Sequence, residues 1–179
     1  VVTYRLTVIR RGQPVSQSLA IMVTCGGSWW FGGGIVSEST CPAGPPVVSN
    51  AQYQAFDGGR MIYLESGNQN YPGNRVYVIF YSGNQWHAYE NVGSATATGS
   101  PPGGRYMPGS AILANVWETG VHNGQAVKDL LQYALVQNVD QQQRTSQVEQ
   151  GGTAIYIDTP EGRLYRLTGT VSGTWQQLR

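Results

Sequence analysis

Charge is what this sequence has least of. Eleven basic and ten acidic residues make up 12% of the 179 and leave a net charge of +1, about half the usual charged share. Lys128 is the only lysine. Nucleic-acid binding needs a basic stripe to neutralise phosphates, and docking on anionic lipid needs a polybasic cluster, so neither partner is expected. No apolar run approaches the ~18 residues of a membrane-spanning helix. The longest run without an aromatic or polar residue, Leu19 to Val23, suits a strand, and no direct membrane insertion is expected. The chain opens Val1-Val2-Thr3-Tyr4 without an initiator Met, which fits a processed mature protein or a trimmed chain.

Residues that carry chemistry are equally scarce. His87 and His122 are the only histidines, and a metal site would want them clustered with thiols or carboxylates. Glu118 and His122 are spaced for one helix face, but Gly120 between them spoils it. There is no G-x-S-x-G elbow, no H-E-x-x-H, and no lysine after the glycines at 32–34 to make a phosphate loop. No catalytic residue, cofactor or metal is therefore expected. Two cysteines, Cys25 and Cys41, would close a loop rich in glycine and ending at Pro42. A bridge there implies an oxidising compartment; the alternative is two buried thiols.

Glycine, proline and tyrosine are what the chain has in plenty: Gly 24, Pro 9 and Tyr 11, with 40% hydrophobic residues. Non-periodic Gly and Pro with many aromatics predict a turn-rich, mainly β fold rather than disorder or collagen. Tyr4, Leu6 and Val8 alternate with Thr3, Arg5 and Thr7, and Leu19, Ile21 and Val23 alternate after a turn at 11–14, predicting a hairpin over 2–24. Trp29-Trp30-Phe31 with Ile35-Val36 suggests a short third strand, and Cys41 to Pro46 a linker. Residues 1–40 thus form an N-terminal β-hairpin region and 41–179 a β domain. In the latter a three-stranded meander (51–92) precedes a linker with one amphipathic helix (93–140), and a second meander (141–179) follows. Val127, Leu130, Leu131, Ala134 and Leu135 give the helix its single apolar face. Whether the meanders form a barrel, a sandwich or separate sheets stays open.

The two meanders align with each other. Ile62-Tyr63 answers Ile155-Tyr156, Arg75-Val76-Tyr77 answers Arg163-Leu164-Tyr165, and Gly83 with Trp86 answers Gly173 with Trp175. Asp57 before Gly58-Gly59 answers Glu149 before Gly151, with one residue inserted. At these residues the chain resembles a repeat family of secreted and envelope proteins of filamentous green non-sulfur bacteria. That family's unit reads F-E-x-G-x-M-x-W, then an aromatic strand, then G-x-W. Phe56, Asp57, Gly59, Met61 and Tyr63 fit the first block, with Asp for Glu and Tyr for Trp, and Cys41-Pro42-Ala43-Gly44-Pro45 fits its opening. Val116-Trp117 and Leu131 to Ala134 fit its linker. The match covers about residues 41–179; the second copy lacks the Phe and the Met. The resemblance implies an extracellular or cell-surface location and carries no assigned activity.

Paired acids such as Asp57 and Glu149 are what glycosidases use, yet an acid before a glycine turn more often accepts backbone N–H groups. The aromatics in or near glycine-rich loops, Trp29, Trp30, Tyr53, Tyr71, Tyr106 and Trp117, are the candidate contacts for a ligand or partner. The expected function is a non-catalytic structural or adhesive module that self-associates or binds another envelope protein. The alternative is a carbohydrate-binding domain that holds polysaccharide on those rings. A Cys25–Cys41 bridge should be worth about 3 kcal/mol by loop entropy. Paired Cys25→Ser and Cys41→Ser changes should lower unfolding stability by that amount in a urea titration, whereas equal stability of the two proteins would argue for free thiols.

Overall fold

The computed structural model of the chain describes residues 2–21, 25–37, 40–68, 70–90 and 92–179. Among them, twelve strands and two helices follow in chain order. The N-terminal pair is β1 (Val2–Arg10) and β2 (Gln13–Ile21). Then come β3 (Val47–Phe56), β4 (Gly59–Leu64), β5 (Arg75–Phe80) and β6 (Gln85–Glu90). Helix α1 (Ala111–Thr119) leads through the short β7 (Val121–His122) and β8 (Gln125–Ala126) into α2 (Val127–Leu131). The chain ends with β9 (Gln143–Val148), β10 (Ala154–Asp158), β11 (Leu164–Thr168) and β12 (Ser172–Gln177).

Eight of these strands close into one antiparallel barrel, in the order β10-β11-β12-β6-β5-β4-β3-β9. Each meander therefore has four strands rather than three. The extra ones, β3 and β9, pair with each other, and β6 pairs with β12, antiparallel at both seams. These directions are those a twofold axis through both seams would generate, which gives the internal repeat its structural form. Strand alternation points Ile62, Tyr77, Ile79, Trp86, Ile155 and Tyr165 inward, where they form a filled core. The ends are stopped as well. Arg60, inside one end, donates from Nε to Tyr53 Oη at 2.5 Å and pairs with Glu161 at 2.9 Å. At the other, the Tyr71 hydroxyl donates to the Gly169 carbonyl at 2.6 Å.

Two stretches of the outward face are covered by the chain itself, while β12 stays largely exposed. Leu113, Val116, Trp117, Val127 and Leu131 of the helices pack over Phe56, Met61, Val76, Val78 and Phe80. This double cover explains why all six residues of β5 are buried. Trp29, Trp30 and Phe31 cover Ala154, Tyr156 and Leu164 on another side. They do so from turns, not from the third strand that the sequence suggests.

The single helix expected across 127–135 is also corrected. Helix α2 stops at Leu131, and Gln132 takes φ +57°. The carbonyls that would continue it are claimed elsewhere: Leu131 and Tyr133 accept from the Gly58 and Asp57 amides of the β3–β4 turn, and Gln132 accepts from the Trp117 indole. Ala134 instead exchanges backbone bonds with Tyr106. The longer helix is α1, started by the Ser110 hydroxyl accepting from the Leu113 amide at 3.2 Å.

Closure at the β6–β12 seam requires Gly173. It stands opposite Trp86, and a Cβ there would lie 1.9 Å from the Thr168 carbonyl oxygen and 3.3 Å from the Trp86 indole nitrogen. Gly173→Ala should cost about 1–3 kcal/mol, the scale of core overpacking. Gly33→Ala, with nothing within 4 Å, should be near neutral in the same denaturant titration. Equal effects would mean the seam does not limit stability.

Candidate interaction surface

Over its described side chains, residues 5–18, the N-terminal hairpin differs from every barrel strand in having no cover. Residues 5–18 are exposed without exception, including Leu6 at 67%, Val8 at 53%, Ile9 at 75% and Val15 at 58%. The hairpin forms for local reasons. Arg11 (φ +51°) and Gly12 (φ +77°) make a two-residue turn with both residues left-handed, the geometry that matches strand twist. The register then runs unbroken from Arg10↔Gln13 to Val2↔Ile21. Val8 stands opposite Val15, while on the other face Thr7 and Ser16 bring their hydroxyls within 2.8 Å. Leu6, Val8 and Val15 thus share a face with the register positions of Tyr4 and Leu19, and Arg5, Thr7, Ser16 and Ser18 share the opposite one. Val23, placed in this hairpin by the sequence, lies outside the described residues.

Charge is as unbalanced here as it is balanced in the barrel. Arg5, Arg10 and Arg11 precede the first acid of the chain, Glu38, and have no acidic partner among the described residues. Each basic residue from Arg60 to Arg166 is ion-paired. Four residues beyond the end of β2 in the sequence, Cys25 is bridged to Cys41. Cys41 is buried and its carbonyl accepts from the Gln150 amide at 2.7 Å, while Ala43 donates to the Val148 carbonyl at 2.8 Å. The bridge therefore fastens the N-terminal segment to the end of β9.

The other sequence candidates are occupied in packing. Tyr53 is inside the barrel, where burial pushes its hydroxyl far above the ordinary tyrosine range, and it donates to Glu161 at 2.9 Å. Tyr71 is fully buried and pushed up to about 12 by burial. Trp117 is buried on α1. Trp29 and Trp30 are half-buried; the Trp29 indole donates to the Thr40 carbonyl at 3.0 Å and its ring packs on Tyr156. Of the six aromatics only Tyr106 is exposed, at 37%. Tyr53 and Trp117 belong to β3 and α1 rather than to loops, and the loops of Trp29, Trp30 and Tyr71 fold back onto the barrel.

Asp57 and Glu149 do not converge. Asp57 lies in the two-residue turn between Phe56 and Gly59 and accepts from Arg105 at 2.8 Å. The Glu149 amide bonds the Ala154 carbonyl, so Glu149 sits inside its ladder, and its carboxylate is held by Arg166 at 2.9 Å and Tyr156 at 3.2 Å. Glu118 is likewise engaged: the Thr98 amide and hydroxyl and Lys128 all donate to it and hold it below the usual carboxylate range. Among the described residues no group of three or more His, Cys, Asp or Glu could hold a metal ion.

The histidines do meet, across the β6 and β7 junction, with ring centroids 5.6 Å apart. His122 is buried, stacked on Phe80 at 4.5 Å, with Nε2 2.8 Å from Gln85 Oε1. Compared with protein families, with curated proteins and with solved structures, the chain matches none.

Burial lowers the pKa of both histidines, and the neighbouring His122 lowers that of His87 further. The unfolded chain takes up these protons near pH 6.5, so their contribution to stability is fully present above that pH and is lost as pH falls below it. The thermal midpoint should drop between about pH 7 and 5.5, and His87→Gln should flatten that slope. A midpoint that rises on acidification in this window would contradict the assignment.

Proposed function

We propose that the chain is a non-catalytic structural or adhesive module of the extracellular space or cell surface, and that it associates through its N-terminal hairpin. One observation carries the proposal: an unbroken hairpin register whose side chains, from Arg5 to Ser18, are exposed, four aliphatic ones among them. A two-stranded hairpin alone in water is marginal, and burying one Val, Leu or Ile side chain is worth about 1.5–3 kcal/mol. A partner laid on this surface would supply what the barrel does not. The disulfide supports an oxidising compartment, and the resemblance over residues 41–179 supports the cell envelope. The carboxylates that could have suggested hydrolysis, Asp57 and Glu149, are each neutralised by an arginine.

The barrel narrows how association can occur. Its strands are joined in a closed ring, so the hairpin of a neighbour finds no continuous free edge there to extend. The contact must be made by the hairpin's own edges or faces. Removing residues 1–21 should abolish concentration-dependent association in analytical ultracentrifugation and leave the thermal midpoint of the barrel within about 3 °C, since residues 5–18 of the hairpin are exposed and pack on none of the barrel core. Undiminished association of the shortened chain would overturn the proposal.

A further inference from the structure

The hairpin register decides which edge is free to pair. With a two-residue turn, the flanking pair Arg10↔Gln13 exchanges both of its backbone hydrogen bonds, and bonded and non-bonded pairs alternate from there. In β2 the backbone groups of Gln13, Val15, Gln17 and Leu19 therefore turn toward β1. Those of Pro14, Ser16, Ser18 and Ala20 turn outward. The 2.8 Å approach of the Thr7 and Ser16 hydroxyls fits a non-bonded pair, in which side chains stand closer. Pro14, which has no N–H, falls in the outward set, where β1 asks for no donor.

The two edges differ. Strand β1 carries Arg5 and Arg10, whereas β2, QPVSQSLAI, carries no charge at all. Charged residues are a usual guard of a free edge, so β1 is guarded and β2 is not. Strand β2 is also close to a palindrome about Gln17: Ser16 and Ser18 flank it, then Val15 and Leu19, then Pro14 and Ala20.

We propose that β2 pairs antiparallel with β2 of a second copy of this chain, about a twofold axis at Gln17. This rests on the hairpin being the association surface and names its partner. In this register Ser16 and Ser18 of the second copy exchange both backbone hydrogen bonds, and so does the symmetric pair. The Ala20 amide donates to the Pro14 carbonyl across the seam, and only the Ala20 carbonyl, facing a proline without an N–H, goes unmatched. Val15 comes opposite Leu19, on the face that also carries Leu6 and Val8. Moving the axis by one residue along the strand would set Gln17 against an aliphatic residue instead of against itself. All the arginines stay on the outer strands and turns. The contact is isologous, so it closes as a four-stranded sheet bounded by two guarded β1 edges.

The test is sedimentation equilibrium of the full chain across a dilution series, with two proline variants. Ser18→Pro removes an outward amide on β2, as Pro14 already does, and leaves the β1–β2 ladder its bonds. Two lost inter-copy bonds at ~1 kcal/mol each should weaken the dimer at least about tenfold. Thr7→Pro removes the equivalent amide on β1 and should leave the dimer unchanged. Gln17→Cys gives a second readout. A non-bonded pair holds its Cα atoms about 4.5 Å apart, within disulfide range, so a covalent dimer should form on mild oxidation, even if Ser18→Pro disturbs the hairpin. Loss of the dimer in Thr7→Pro with retention in Ser18→Pro would overturn β2 pairing and leave the hairpin as the surface. Failure of Gln17→Cys to cross-link at concentrations where the chain is dimeric would also overturn it. A chain that stays monomeric throughout, or that associates without residues 1–21, would overturn both readings.

Discussion

Closure of the barrel depends on two seams, β3 against β9 and β6 against β12, and the rest of the molecule follows from them. Neither four-stranded meander could stand alone, because each would present two open edges and one uncovered apolar face. Joined antiparallel at both sides, they enclose Trp86, Tyr77, Tyr165 and their neighbours in one core. The seams are short: three residue pairs join β6 to β12 and four join β3 to β9. Small and polar residues hold them where bulk would not fit, with Gly173 against Trp86 at one and Ser49 opposite Arg144 at the other.

A closed and filled barrel has consequences for function. Its interior is occupied by its own aromatics and stopped by Arg60 with Glu161 at one end and by Tyr71 at the other. Its outer faces carry the two helices on one side and the Trp29 to Val36 segment on another. The hairpin holds the most exposed aliphatic residues among those described, Ile9 at 75% and Leu6 at 67%. The disulfide sets the point from which it leaves, because Cys41 is held against β9 while Cys25 belongs to the segment that follows β2. On the proposed function, barrel, staple and hairpin are scaffold, tether and contact, a division that makes the hairpin's exposed aliphatic residues intelligible.

Strongly patterned segments were legible in the sequence, and segments whose burial rests on polar bonds were not. Strands β4, β5, β10 and β11 are rich in large apolar residues and fall within the two meanders expected over 51–92 and 141–179. Strand β9, QRTSQV, holds a single apolar residue. Its burial is satisfied by particular partners, such as Gln147, which donates to the Ser28 and Gly44 carbonyls and accepts from the Trp30 amide. Strand β3 hides behind alanines and glutamines in the same way. Helix α1 left a signal that went unused: Ser110 as a cap and an apolar face of Leu113, Val116 and Trp117. The false extension of α2 had the right periodicity, but periodicity cannot show that the β3–β4 turn claims the carbonyls of Leu131 and Tyr133. For the candidate surface, the alternation of β1 and β2 was readable at once. The exposure of the loop aromatics was not, because position in a glycine-rich loop does not say whether the loop folds back.

The account stands on the hairpin edge being the place where this chain meets another. Residue-resolved amide hydrogen exchange tests that directly, since the outward amides of β2 have no bond to the described residues of the same copy. In dilute solution Ser16 and Ser18 should exchange as free amides while Val15 and Gln17 are slowed by β1. At concentrations where the mass doubles, Ser16 and Ser18 should become protected. Free exchange at Ser16 and Ser18 in the associated state would contradict the account.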